Sequence, residues 1–253
     1  MITLTEAQLL AWITPVLWPF LRVLALFQAM PVMGQRLVPM RVRVALAFLV
    51  AVCASNVAPP IPPVALDSAP AVLLVVQQLL IGLSLGFAVR IVFATVEFAG
   101  EIAGLQMGMN FAGFFDPMTA TQTTAVSRFF GTLVAFLFIV VNGHLTVIAA
   151  VVQSLTVFPA GPEPFAFLTA TLPHQWGAEV FKMGLWIALP LIAIMMFVNL
   201  VLGVISRVAP QTHIFSIGFP ITMGVGLTSL LFMLPLMETP FLATLERMLS
   251  HFQ

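Results

Sequence analysis

Charge is what this sequence has least of. Acidic and basic side chains make up 7% of its 253 residues, against roughly 25% in ordinary soluble domains. That scarcity excludes a water-facing surface of normal polarity. With 61% of the residues hydrophobic, the chain reads as an integral membrane protein. Nine basic and nine acidic groups cancel to a formal net charge of zero. No basic stripe runs along the chain to neutralise phosphates, so nucleic acid is not an expected partner. Cysteine is reduced to Cys53, which excludes an internal disulfide; set in an apolar run, it reads as a small buried hydrophobe.

Catalytic signatures are missing as well. The chain has no HExxH and no GxxxxGK[ST] phosphate loop, and each of those spacings is what its chemistry requires. His144, His174, His213 and His251 are scattered singly, without metal-ligand spacing. Ser127 beside Arg128 lacks a recognisable base. No catalytic residue, metal or cofactor is expected, and no tandem repeat is visible. The opening "MITLTEAQLLAW" carries an acid where a signal peptide has a basic region, and no small-residue cleavage site follows. The first segment is expected to be retained.

What is present is apolar and helical in scale. Six blocks, at about 9–33, 42–58, 70–96, 124–152, 180–205 and 212–237, each approach the roughly 17–25 residues a membrane helix needs. The expected fold is an all-α membrane protein, one domain over 1–253. "PPIPPVALDSAP" is too proline-rich for helix and reads as an extended connector. "FPAGPEPFAFLTATLPHQW" has similar punctuation plus Trp176, a residue suited to the membrane interface.

Pro15, Pro19 and Pro31 punctuate the first block, Pro190 the fifth, and Pro220 with Gly218, Gly224 and Gly226 the sixth. Backbone groups freed by such residues must be satisfied by protein or by a watery cavity. Packing against other protein and ordinary proline kinks in a self-contained bundle both meet that need. Gly82 and Gly86, and then Gly100, Gly104, Gly108 and Ala112, recur every four residues. Such stripes admit a close backbone, within the chain or at a subunit interface.

Arginine placement suggests orientation. Arg36, Arg41 and Arg43 fall in the first connection, Arg90 and Arg128 flank the third, and Arg207 lies in the fifth, whereas the second and fourth carry Asp67 and Glu163. The odd connections are therefore expected on the cytoplasmic side and both termini outside. Arg22, near the middle of the first block, needs a partner or a polar cavity, and Glu101 is the first choice of partner. Glu97 and Glu101 share one helical face, as structural pairing groups or as the proton relay of a secondary transporter. In "VNGHL", Asn142 and His144 suit capping or interfacial hydrogen bonds.

One stretch fits no spanning helix. "QMGMNFAGFFDP", residues 106–117, combines two methionines, two glycines and three phenylalanines before Asp116-Pro117, a pair that stops a helix and turns the chain.

These residues carry a resemblance. "RVLALFQAMPVMGQRLVPMRVRVALA", "QQLLIGLSLGF", "GEIAGLQMGMNFAGFFDP", "SRF", "NGHL", "ALP" and "NLVLGVISRVAPQTHIFSIGFP" occur in an order that resembles the FliR family, membrane proteins of the flagellar type III export gate. The resemblance implies a non-enzymatic channel component in the bacterial inner membrane at the flagellar basal body. It implies assembly with FliP-like and FliQ-like subunits into a hetero-oligomeric helical gate, with FlhB-like and FlhA-like export proteins alongside. Unfolded flagellar proteins would pass through it, past bent helices packed on neighbouring subunits. The matching loop of the family helps plug the closed gate, which makes Met107, Met109, Phe111, Phe114 and Phe115 candidate seal residues. Where one phenylalanine and an aliphatic residue are expected before Asp-Pro, this chain has Phe114 and Phe115. By resemblance to the hairpin of FliQ-like subunits, the turn holding Arg207, Pro210 and Gln211 would face an FlhB-like partner. Injectisome SctT-type proteins share the plan and are the alternative within the class. A self-contained secondary transporter using Arg22, Glu97 and Glu101 is the alternative outside it.

Overall fold

The computed structural model describes residues 6–35, 38–59, 64, 68–109, 124–161, 163–209 and 214–253, with the side chains of 6–10 and 214–216 left aside. It is 85% helical and, among the described residues, has no strand. In order the helices are α1 (Glu6–Ala29), α2 (Met40–Ser55), α3 (Ala69–Gln106), α4 (Ala125–Val140), α5 (Gly143–Val157), α6 (Ala166–Thr171), α7 (Gly177–Val208), α8 (Ile214–Met233) and α9 (Glu238–Ser250). Short 3-10 turns at Pro173–Gln175 and Leu234–Met237 connect some of them.

An apolar chain in lipid has no water to satisfy its amides, so helix is the economical state of each block. Pro31 falls in the turn after α1, but the other punctuating prolines sit inside helices. Pro15 and Pro19 lie within α1, Pro190 within α7 and Pro220 within α8, as membrane helices tolerate where neighbours take up the freed carbonyls. Several helix boundaries instead fall at left-handed residues: Gly108 (φ 77), Asn142 (φ 56) and Leu172 (φ 45).

Among the described residues, four stretches are long and apolar enough to cross a membrane: Ala11–Ala29, Ala69–Gln106, Gly177–Val208 and Ile217–Ser250. The bent pair α4–α5, counted as one, makes five. The expected count of about six differs for local reasons. At 16 residues, α2 spans only about 24 Å, short of the roughly 30 Å hydrocarbon core. The fourth block is broken at Asn142, and the third runs on to Gln106.

Two compact units form, interleaved along the chain: Met1–Ile91 with Phe138–Trp176 and Leu245–Gln253, and Val92–Leu137 with Gly177–Thr244. In the first, α1 buries Trp18, Arg22, Val23, Leu26 and Phe27, a stripe at helical spacing. Its close neighbours are small: α2 turns Ala47, Ala51 and Ala54 inward, and α3 brings Gly82 and Gly86 against it. A methyl on Gly82 would overlap the Arg22 carbonyl, and one on Gly86 would overlap Ala29 and the Leu26 carbonyl. The chain register rises together in both helices, so α1 and α3 run parallel. Aromatic rings close another part of this unit. Trp176 stacks on Phe87 and meets His251 and Phe252, while Phe158 meets Phe167 and Phe252. Trp176, expected at the membrane interface, is 3% exposed, because these rings enclose it. Cys53, expected buried, is exposed, since α2 turns its alanines inward instead.

In the second unit α7 packs on α8, and Gly184 of α7 admits the ring of Phe98 and the carbonyl of Thr95 from α3. Phe98 also meets Phe181 edge to face.

Candidate functional site

The root of the broken stretch lies in the second unit, at the end of α3. The Met107 amide donates to the Ala103 carbonyl (3.1 Å) and the Gly108 amide to that of Leu105 (3.0 Å). Gly108 then takes φ 77, a left-handed conformation that glycine adopts without a Cβ penalty and that closes helices. Gly108, expected as a rung of the packing stripe, therefore acts as the helix terminator. Met107 is fully buried. Its side chain occupies the notch at Gly226, where an added Cβ would stand 2.5 Å from Met107 Cγ and 2.6 Å from Cε. The Thr222 hydroxyl of α8 lies 3.5 Å from the Met107 carbonyl. Met107 thus faces the chain's own packing and pins the stretch, while Met109 is half-buried. Phe111, Phe114, Phe115, Asp116 and Pro117 lie outside the described residues.

Thr124 lies beside the same helix end. The Thr124 amide (3.0 Å) and hydroxyl (3.1 Å) both donate to Glu101 Oε2, and the hydroxyl accepts from the Ser127 amide at 3.1 Å. This is an N-cap for α4, reinforced by a carboxylate at the positive end of that helix. Gly104 makes room for it, since a Cβ there would fall 2.6 Å from Thr124 Oγ1. Gly100 does the same for Phe130, whose Cβ would be 2.9 Å away. Met109 and Thr124 therefore both lie at this end of α3.

Glu101, expected as the partner of Arg22, is half-buried and holds Thr124. Glu97, expected as a buried charge, is exposed; its backbone carbonyl accepts from the Ser127 hydroxyl at 3.0 Å.

Arg22 lies in the first unit, fully buried, and its partners are neutral. Nε donates to Gln78 Oε1 (2.8 Å), Nη1 to the Ser154 carbonyl (2.5 Å) and hydroxyl (3.0 Å), and Nη2 to the Phe158 carbonyl (2.7 Å). Those carbonyls end α5, where the helix dipole is negative and favours a cation. The network continues through Gln78 Nε2 to Gln77 Oε1 (3.3 Å), which also accepts from the Gly161 amide (3.2 Å). Gln77 Nε2 in turn donates to the Glu163 carbonyl (3.3 Å) and lies 3.5 Å from that of Pro159. Gln77, Gln78 and Ser154 were not singled out from the sequence. Their signal was available, since two adjacent glutamines inside "QQLLIGLSLGF" need partners in an apolar medium.

Arg207 is exposed in the last turn of α7, where its charge faces that helix's carbonyl end; Pro210 and Gln211 lie outside the described residues. Asn142, expected in capping or interfacial hydrogen bonds, stands at the N-cap of α5 with left-handed backbone and makes no side-chain cap hydrogen bond. His144 Nδ1 is buried without a partner. Among the described residues no three His, Cys, Asp or Glu side chains gather as metal ligands.

The family described as Bacterial export proteins, family 1, matches residues 13–248. The flagellar biosynthetic protein FliR of Escherichia coli K12 is 42% identical over 246 residues, covering 95% of this chain and 92% of that protein. Its namesake in Pectobacterium carotovorum is 38% identical over 243 residues, with the same coverage of 95% and 92%. That of Bacillus subtilis 168 is 30% identical over 220 residues, covering 84% and 83%.

Proposed function

The chain belongs to the bacterial export proteins, family 1, alongside the FliR proteins, and from that premise we propose that it is a membrane-embedded, non-enzymatic component of the flagellar protein-export gate. The observation that carries this reading is similarity along nearly the whole chain to proteins named for flagellar biosynthesis. Four or five apolar spans suit the location. Assembly with FliP-like and FliQ-like subunits in the inner membrane, next to FlhB-like and FlhA-like proteins, is the state in which it would work on unfolded flagellar proteins. Extraction in mild detergent tests it. The chain should co-purify with those subunits; a monodisperse chain that binds a small solute by itself would support the transporter instead. Neutral partners for Arg22, an exposed Glu97 and a Glu101 that holds Thr124 weigh against that reading.

Within the gate, residues 106–117 serve as the resting seal. Met107 holds the root, and Met109, Phe111, Phe114 and Phe115 supply the apolar bulk that dewets a pore and yields when a chain pushes through. Asp116-Pro117 turns the stretch back. Phe111→Ala with Phe114→Ala should leave assembly intact and make cells with the complete gate leaky to small ions and dyes; a tight double mutant would remove this stretch from the seal. The α7–α8 turn, with Arg207, Pro210 and Gln211, faces the cytoplasm and an FlhB-like partner, both termini being periplasmic. A thiol at Gln211 reacting only from the periplasmic side would overturn that orientation.

A further inference from the structure

Residues 7–66 contain four arginines, Arg22, Arg36, Arg41 and Arg43, and no acidic residue. Arg22 is absorbed by the α5 end, whereas Arg41 and Arg43 open α2, which starts beside Gln28 near the end of α1. Arg43 packs against the end of α1, donating to Gln28 Oε1 at 2.8 Å and to the Gln35 carbonyl. It is 9% exposed, and its Nε is buried without a partner. Arg90 belongs to the same end. Because α3 runs parallel to α1 and Gly86 lies against Leu26 and Ala29, Arg90 stands about 6 Å further on, level with the turn after α1. Both Arg41 and Arg90 are exposed.

Below Arg41 the surface changes character within one turn. Arg41, Val44, Ala45, Phe48, Leu49 and Val52 are exposed and follow one another at three- and four-residue steps, so they form one face of α2. Phe48 is 52% and Leu49 60% exposed. The opposite face, Arg43, Ala47, Ala51 and Ala54, is buried. A cationic head above an apolar stripe, on a helix too short to cross the bilayer, is complementary to an amphiphile with an anionic head and hydrocarbon tails.

We infer that this end of the first unit is a binding site for an anionic phospholipid. Arg41 and Arg90 hold the phosphate-bearing headgroup over the Arg43 guanidinium, and acyl chains lie along Val44, Phe48, Leu49 and Val52. The inference rests on the chain being membrane-embedded, and its test is independent of export.

The complex extracted in mild detergent is titrated with phosphatidylglycerol, phosphatidylcholine and inorganic phosphate, and bound lipid is counted by native mass spectrometry. Phosphatidylglycerol should bind more tightly than phosphatidylcholine at low salt, and Arg41→Gln with Arg90→Gln should reduce that preference by about 30-fold, the equivalent of about 1 kcal/mol for each arginine. Both residues are exposed, so folding should survive, which co-purification reports separately from lipid binding. Lys182→Gln, an exposed cation of the second unit, should leave the preference unchanged. The inference is overturned by a double variant that keeps the preference, or by equal loss with Lys182→Gln. Displacement of the lipid by equimolar inorganic phosphate would make this a free-anion site instead. Binding to the isolated chain but not to the complex would assign the surface to a neighbouring subunit.

Discussion

Between Gln77 and Gly86, α3 lies beside α1 and the carbonyl end of α5; between Gly100 and Gly104 it lies beside the amide end of α4. Both halves use glycine to bring a second helix close, and both place a charge at a helix end. The first places a cation, Arg22, at carbonyls. The second places an anion, Glu101, at an amide. What separates them is burial: Arg22 is wholly enclosed, whereas Glu101 is half-buried. Helix ends can neutralise charges in an apolar chain without ion pairs, but the cost of removing such a charge rises with enclosure, because groups left behind cannot turn to water.

Arg22→Leu should therefore have the largest effect. It strands the Phe158 carbonyl and Gln78 Oε1, while the Ser154 carbonyl keeps the Phe158 amide; at about 1–3 kcal/mol for each stranded group the loss is on the order of 3–5 kcal/mol, visible as a collapse of folded yield and thermal midpoint in detergent. A leucine variant that extracts and assembles like the wild type would break the comparison at its stronger arm. Gly82→Ala comes next. Its methyl meets the Arg22 backbone, and overpacking of that kind costs about 1–3 kcal/mol. Gly203→Ala has nothing within 4 Å of the new methyl and should stabilise α7 by about 0.5–1 kcal/mol; equal shifts in thermal midpoint from the two alanines would discard the close-approach argument.

The α4 cap should respond less. Thr124→Ala is expected to cost about 1 kcal/mol, and Glu101→Gln, which keeps an acceptor, a few tenths of a kcal/mol. Hydrogen exchange at the Ser127 amide reads the cap directly. Raising salt should erase the Glu101→Gln difference while leaving that of Arg22→Leu. If both respond alike, burial does not distinguish the two halves.

Helix class and membrane environment were legible before any coordinates, because apolar runs of this length have few stable alternatives. The close approaches at Gly82, Gly86, Gly100 and Gly104 were legible too, as four-residue spacing. Boundaries were less so. Proline marks a possible break, yet Pro15, Pro19, Pro190 and Pro220 lie inside helices, while Asn142 and Leu172 end them through left-handed backbone that side-chain identity barely signals. The role of Gly108 was hidden by its fit to the stripe before it.

By itself, then, the sequence determined that this chain is helical, lipid-compatible and short of charge, since those follow from composition and period alone. It also determined that Arg22 must be satisfied, because a free charge in hydrocarbon is too costly. Which groups satisfy it only the tertiary structure decided. Glu101 and Ser154 lie 79 and 132 residues from Arg22 in the chain, and nothing in their spacing ranks a carboxylate against a carbonyl. Packing α1 parallel to α3, with Gly82 against the Arg22 carbonyl, brought the end of α5 within reach and left Glu101 to cap α4.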